Sequence, residues 1–413
     1  MLAPSANPHE ILALARKLRA GAAELRALGV ERIVSALCDA AQQLRGTGAL
    51  ATITRQKLHA DTGLHPAMIE WGLCTTLASV EPSVLMELAA PLWNARVHKP
   101  VPAELIAVVL AGNVFTACVR GLFLPLLTGA PVIAKTAARD PALALALERA
   151  LHAADPSVAR HLAVLAFDRD DNASLQAFVG QAQVVSVYGS DAAVEAIASE
   201  APQARLLAHG HGISAAYVGP QSLETPDALR DAAARLALDV AAYDQLGCLS
   251  PHLVWVHTAS LAQAESFARA LCDHGLEQLQ SLLPRGKLEL DAQAAELQWR
   301  GIAAASGTLY TGSAHAVSVE TGPARTSPGF RNLSVRLCTN LPHFARALTP
   351  FATHLKAIGV AGSAELRTEL RAELARQHGS EAPKPHVCRL GEMQTPGFDA
   401  PADGRPALYG LTR

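Results

Sequence analysis

The sequence predicts an α/β protein built as two doubly wound lobes with a cleft between them. Three observations carry this. Short, almost wholly apolar runs such as "LIAVVL" and "HLVWVH" alternate with helix-patterned stretches, as expected for parallel strands covered on both faces. The alternation begins near Leu105 and starts a second round after Gly219. The 413 residues, half of them hydrophobic, suffice for two cores.

The elements follow in chain order. Residues 9–90 carry apolar residues at three and four spacing, with Gly29 and Gly46 where helices would stop. The segment Leu105–Lys135 is the most apolar. Asn113, Arg120 and Pro125 interrupt it, so it falls short of a membrane span. It reads as a strand (Leu105–Leu110), a turn at Ala111-Gly112-Asn113, a helix (Phe115–Leu127), a stop at Gly129 and a strand (Pro131–Ala134). "PALALALERALHAA" then predicts a helix and "HLAVLAF" a strand. "VVSVYGSDAAVEAI" predicts strand, glycine turn and helix, and "ISAAYVG" a strand. The second round runs from the helix "PDALRDAAARLALDVAAY" through a loop at Cys248 to the strand "HLVWVH" and a helix over Leu261–Leu283. "AVSVET" and "LSVRLCT" predict strands and "SAELRTELRAELARQHG" a charged helix. The domain boundary is expected near Gly219–Asp227. This gives a first lobe over 1–218 and a cysteine-bearing lobe over 219–384, with the Pro/Gly-rich tail of 385–413 packing back on the first.

The bulk numbers exclude several classes. A net charge of −2 gives no reason to expect nucleic acid or an anionic membrane as partner. Seven scattered cysteines without CxxC pairs fit reduced thiols in a cytoplasmic protein, not a disulfide framework or a zinc ribbon. No basic stretch followed by an apolar one opens the chain, so no signal peptide is expected. "HGH" lacks a third ligand and "DRDDN" matches no calcium loop, so no metal site is expected.

Four places carry candidate chemistry. Cys248, in "YDQLGCLSPH", sits among Gly and Ser between a helix and a strand. Such a loop can present a thiol as nucleophile; a buried core cysteine is the plainer reading. Asn113 ends a strand and is either an oxyanion donor or a helix cap. Gly189 and Ser190 open a helix after a strand, where backbone N–H groups can meet a phosphate or where Ser simply caps. No GxGxxG fingerprint is present. His209 and His211 lie between glycines and titrate in a range useful for proton transfer, though packing would also explain them.

Taken in order over residues 80–413, these pieces resemble the aldehyde dehydrogenase superfamily. Within it they resemble the acyl-CoA reductase branch typified by the fatty-acid reductase of bacterial bioluminescence. "VLAGNVFTACVRGLFLPLLTGAPVIAKTAARDP" and "VYGSDAAVEAI" are similar to its cofactor-binding half. "YDQLGCLSPH" matches a D-Q-x-x-C-x-S-P pattern, and "SPGFRNLSV" and "CRLGEMQTPGF" are similar to the same branch. The resemblance implies an aldehyde dehydrogenase-like fold. It implies Cys248 as nucleophile, Asn113 as oxyanion donor, and Lys135, Gly189 and Ser190 at a nicotinamide cofactor. It also implies an acyl-CoA or acyl-carrier thioester as substrate, and a homodimer. Lys135 and Arg139, with no acid before Asp140, favour NADPH over NADH.

Two departures stand out. Where hydrolytic relatives carry a water-activating glutamate, this chain has "LLAHGHGIS". The glutamate motif that binds the nicotinamide ribose is also missing. The first loss suits a reductase, whose acyl-enzyme must survive water. The second gives a foothold to an acyl-transfer subunit that uses the same cysteine without redox chemistry. A reductase of an acyl phosphate and a non-catalytic scaffold compete with both.

Overall fold

The computed structural model describes residues 6–94, 100–137, 140–379 and 384–412. Five parallel strands form the first sheet: β1 (Ile106–Val109), β2 (Val132–Lys135), β3 (Leu162–Leu165), β4 (Val184–Tyr188) and β5 (Arg205–His209), in the order β3-β2-β1-β4-β5. Successive side chains of a strand face opposite sides, and both sides of this sheet are buried. Ile106 and Val108 join one apolar core with the helices Val30–Arg45 and Ala142–Ala154. Leu105 and Ala107 join another with Ile11, Ala15 and Leu18 of the helix Pro8–Ala20. The N-terminal helices, to which the sequence assigns no role, thus supply helical cover for the first sheet.

The Leu105–Lys135 segment forms the expected strand–helix–strand unit. Its helix, Ala117–Leu127, is almost wholly buried. Gly129, at φ +81°, turns the chain into β2 in a conformation that favours glycine. Among the described residues no single helix is long and apolar enough to cross a membrane.

The second sheet has seven strands: β6 (Ile213–Val218), β7 (Pro251–His257), β8 (Gly307–Thr311), β9 (Ala316–Glu320), β10 (Asn332–Cys338), β11 (Leu355–Ala361) and β12 (His386–Arg389). Their order is β12-β11-β6-β7-β10-β9-β8, parallel except for the β8–β9 pair. Ala216, Val218, Val254 and Val256 pack one face against the helices Pro226–Ala241 and Leu261–Ala270. Tyr217, Leu253 and Trp255 pack the other against Leu341–Ala347 and Ala364–His378.

Two features bear on where the lobes divide. β6 pairs in the seven-stranded sheet, so the change of sheet falls at Gly210–Gly212, before Gly219–Asp227. The tail divides its contacts. β12 extends the second sheet, and the residues from Gly397 onward reach the first lobe, where Arg120 donates to the Gly397 carbonyl, Asp403 bonds His209, Arg205 donates to the Thr412 carbonyl and Pro102 pairs with Thr412. β5, β8, β11, β12 and the helix Leu290–Ser306 go beyond the elements expected from sequence.

Candidate active site

The cysteine loop begins with unusual backbone. Tyr243, Asp244 and Gln245 all have positive φ, at 52°, 51° and 64°. Each such non-glycine residue costs on the order of 1–3 kcal/mol and persists only where its surroundings hold it. Here they do. The Asp244 carboxylate accepts from Arg331 Nε at 3.0 Å and Nη2 at 2.7 Å, and from the Gly286 N–H at 2.8 Å. Both partners of this ion pair are buried. The Gln245 amide donates to the Pro251 and Asn332 carbonyls at 2.7 and 2.9 Å and accepts from the Asn332 N–H at 2.9 Å. Tyr243 lies against the N-terminal helices: its N–H meets Met68 Sδ at 3.2 Å, and its hydroxyl bonds Thr116 at 3.0 Å. This explains the residue types of the motif. Asp and Gln grip "FRN", Phe330–Asn332, and the grip bends the chain toward the cysteine.

Cys248 follows on a tight turn closed by the Ser250 N–H and the Gly247 carbonyl at 3.0 Å. It is exposed, whereas Cys118, Cys272 and Cys338 are buried and Cys38, Cys74 and Cys388 half-buried. A core role therefore does not apply to Cys248. Protein packed around its sulfur pushes its pKa up. The Lys356 charge pulls it down, and the Asp403 charge adds to the rise.

Asn113 lies at the carboxyl end of β1 and reaches across to the cysteine loop, where Nδ2 donates to the Leu246 carbonyl at 3.2 Å. It caps no helix: Thr116 holds the N-cap position before Ala117. One of its two amide N–H donors serves Leu246.

Lys135, Gly189 and Ser190 stand at the carboxyl ends of β2 and β4, on either side of β1. This is where the strand order of the sheet reverses, the place where open α/β sheets bind ligands. Burial lowers the Lys135 pKa while Asp168 raises it, and the ammonium lies 4.9 Å from the centre of the Phe167 ring. Ser190 accepts from the Ala193 N–H at 3.3 Å and so caps the helix Asp191–Glu200. Arg139 lies outside the described residues. Asp140 is buried near Asp61, and burial pushes its carboxyl up to about 7.

The two histidines separate. His209, at the end of β5, bonds Asp403 at 2.6 Å and stacks on Tyr188 with ring centres 4.3 Å apart. His211 donates its backbone N–H to Asp191 at 3.2 Å, and its ring lies 6.0 Å from that of His354. Asp403 also pairs with Lys356. Burial alone would raise the Asp403 carboxyl, but the His209 hydrogen bond and the Lys356 charge outweigh it and hold the carboxyl at about 2. Lys356 and Asp403 are not evident from sequence. The only signals are a lysine inside the apolar run "LKAIGVA" and an Asp-Gly turn in the tail. Among the described residues no group of three or more His, Cys, Asp or Glu could hold a metal ion.

The chain has known relatives. It is 28% identical over 201 residues to the long-chain acyl-protein thioester reductase of Aliivibrio fischeri. That match takes in 48% of this chain and 40% of the relative. Among solved structures it is similar to aldehyde dehydrogenase 21 of Physcomitrella patens (TM-score 0.74, 13% identity, 99% of this chain and 89% of that one). It is also similar to an NAD-dependent benzaldehyde dehydrogenase of Corynebacterium glutamicum (TM-score 0.69, 15% identity, 95% and 89%). At these identities the likeness establishes an aldehyde dehydrogenase-like fold. The family profile described as acyl-CoA reductase (LuxC) matches residues 25–413, and the chain belongs to that family.

Proposed function

We propose that the protein reduces an acyl thioester to the aldehyde with a nicotinamide cofactor, through a covalent acyl-Cys248. The observation that carries the reading is the exposed thiol on a clamped loop, with the Asn113 amide beside it and the carboxyl edge of the first sheet opposite.

The Cys248 thiolate attacks the thioester carbonyl, its carbon–sulfur bond forms as the donor's breaks, and the donor leaves as a thiolate that takes a proton. The Asn113 amide and the Cys248 N–H steady the oxyanion. When bound, a nicotinamide would supply the hydride that reduces the acyl group held on Cys248 to a thiohemiacetal. The thiohemiacetal then releases aldehyde and restores the Cys248 thiolate. Lys135, Gly189, Ser190 and the open N–H groups of the helix Asp191–Glu200 suit the cofactor's phosphates. The acid of the neighbouring loop, Asp140, is buried and so unavailable to a ribose, which favours NADPH.

Protection from water fits the same geometry. A carboxylate does stand near the cysteine, but Asp403 is held at about 2 between His209 and Lys356, too weak a base to activate water efficiently. The acyl donor is CoA or a protein: the family description supports the first, and the name of the Aliivibrio fischeri relative supports the second.

The test is NADPH oxidation measured with release of free thiol, using acyl-CoAs of graded length and an acyl-carrier thioester. Equal consumption and release, abolished in Cys248→Ala, is the expected result. Thiol release once per site without NADPH or NADH oxidation would replace this reading with acyl transfer.

A further inference from the structure

Four independent features fix one lysine close to the cysteine loop. β11 carries a bulge: Leu355 pairs with Ile213 and Ala357 with Ser214, so Lys356 is the extra residue. Bulges re-aim side chains and are common beside active sites. The Lys356 stem crosses Gly212, where a Cβ would lie 2.2 Å from its Cγ. The Ser214 hydroxyl donates to the Cys248 carbonyl at 2.8 Å and accepts from the Ala357 N–H at 3.0 Å. One side chain thus ties the bulge to the cysteine. Finally, the ammonium pairs with Asp403, a non-glycine residue at φ +52° whose other oxygen holds His209.

We propose that Lys356 is the counter-charge of the Cys248 thiolate, and that Asp403 and His209 are positioning residues that hold its ammonium in place. This rests on the reading of Cys248 as nucleophile. It deepens that reading, because it supplies the positive charge that a thiolate in a crowded cleft requires. The charged and titratable groups around the sulfur are Lys356 and Asp403 from the second lobe and tail, with Tyr188 and His209 from the first. Arg120 stands behind Tyr188. Of the two ionic groups acting directly on the sulfur, Asp403 opposes the thiolate and Lys356 favours it.

The test is the pH dependence of Cys248 alkylation by iodoacetamide, followed on the Cys248 peptide by mass spectrometry. Wild type, Lys356→Met and Lys356→Arg are compared, each checked by its melting temperature. Lys356→Met should move the midpoint up by about one pH unit or more, roughly tenfold slower labelling below it. Lys356→Arg should stay near wild type. An unmoved midpoint in folded Lys356→Met, or equal shifts in both variants, would overturn the proposal. Aldehyde formation that persists in Cys248→Ala would instead overturn the proposed function, so the two failures are distinguishable.

Discussion

Asn113 and Asp140 show how single residues set measurable behaviour. Asn113→Ala removes a donor aimed at the cysteine loop and should lower kcat by roughly 100- to 1000-fold, with a smaller change in KM, in steady-state assays of aldehyde formation. Asp140 carries a different signature. Its folded carboxyl is raised to about 7 from an ordinary 3.8. Its contribution is therefore complete below pH 4 and is lost as pH rises through 7. Asp140→Asn should flatten that fall, read from melts at half-unit steps from pH 4 to 8. At this scale legibility was uneven. Cys248 and Asn113 could be picked out as candidates through the family resemblance, because the local pattern of each also suits a core cysteine or a cap. Asp403 could not, because it meets His209 across 194 positions, and no local periodicity reports such a contact.

Elements were legible where apolar runs are buried on both faces. β1, β2, β4 and β7 read directly as strands because every second residue needs a different core. β5 and β8, at sheet edges, are largely exposed or half-buried and only five residues long each, so neither makes an apolar run that stands out. β12, also at an edge, has four residues. β11 is central and was missed because its lysine and bulge break the apolar run. The arch Tyr243–Gln245 spans the expected helix end at Tyr243 and the start of the cysteine loop. Nothing in "AAYDQ" announces three left-handed residues; the Asp244–Arg331 pair is what holds them. Arg331→Met should therefore cost about 3–5 kcal/mol, because it strands a buried carboxylate, measurable by urea denaturation. Gly72 joins the N-terminal helices to the same arch: a Cβ there would lie 2.8 Å from Phe115 and 2.9 Å from Tyr243. Gly72→Val should destabilise by about 1–3 kcal/mol through overpacking, seen as a lower urea midpoint.

The whole molecule is held across its cleft by the tail. β12 joins the second sheet, and the Gly391 and Met393 N–H groups bind the buried Asp239 carboxylate at 2.6 and 2.9 Å. Arg120 of the first lobe then takes the Gly397 carbonyl at 3.2 Å, and Asp403 links His209 to Lys356. The sequence showed a Pro/Gly-rich end but could not show that it touches both lobes, since that depends on where distant strands terminate. Truncation after Ala400 should remove aldehyde formation and lower the melting temperature, while the secondary-structure content seen by circular dichroism stays close to that of the full chain. The Asp244–Arg331 clamp has a last consequence, for descent. Its two members lie 87 positions apart, yet neither can change alone without leaving a buried charge, although an apolar pair of similar volume could be as stable. Every route from one solution to the other passes through a damaged ancestor, so the pair should persist or disappear together among descendants of this sequence.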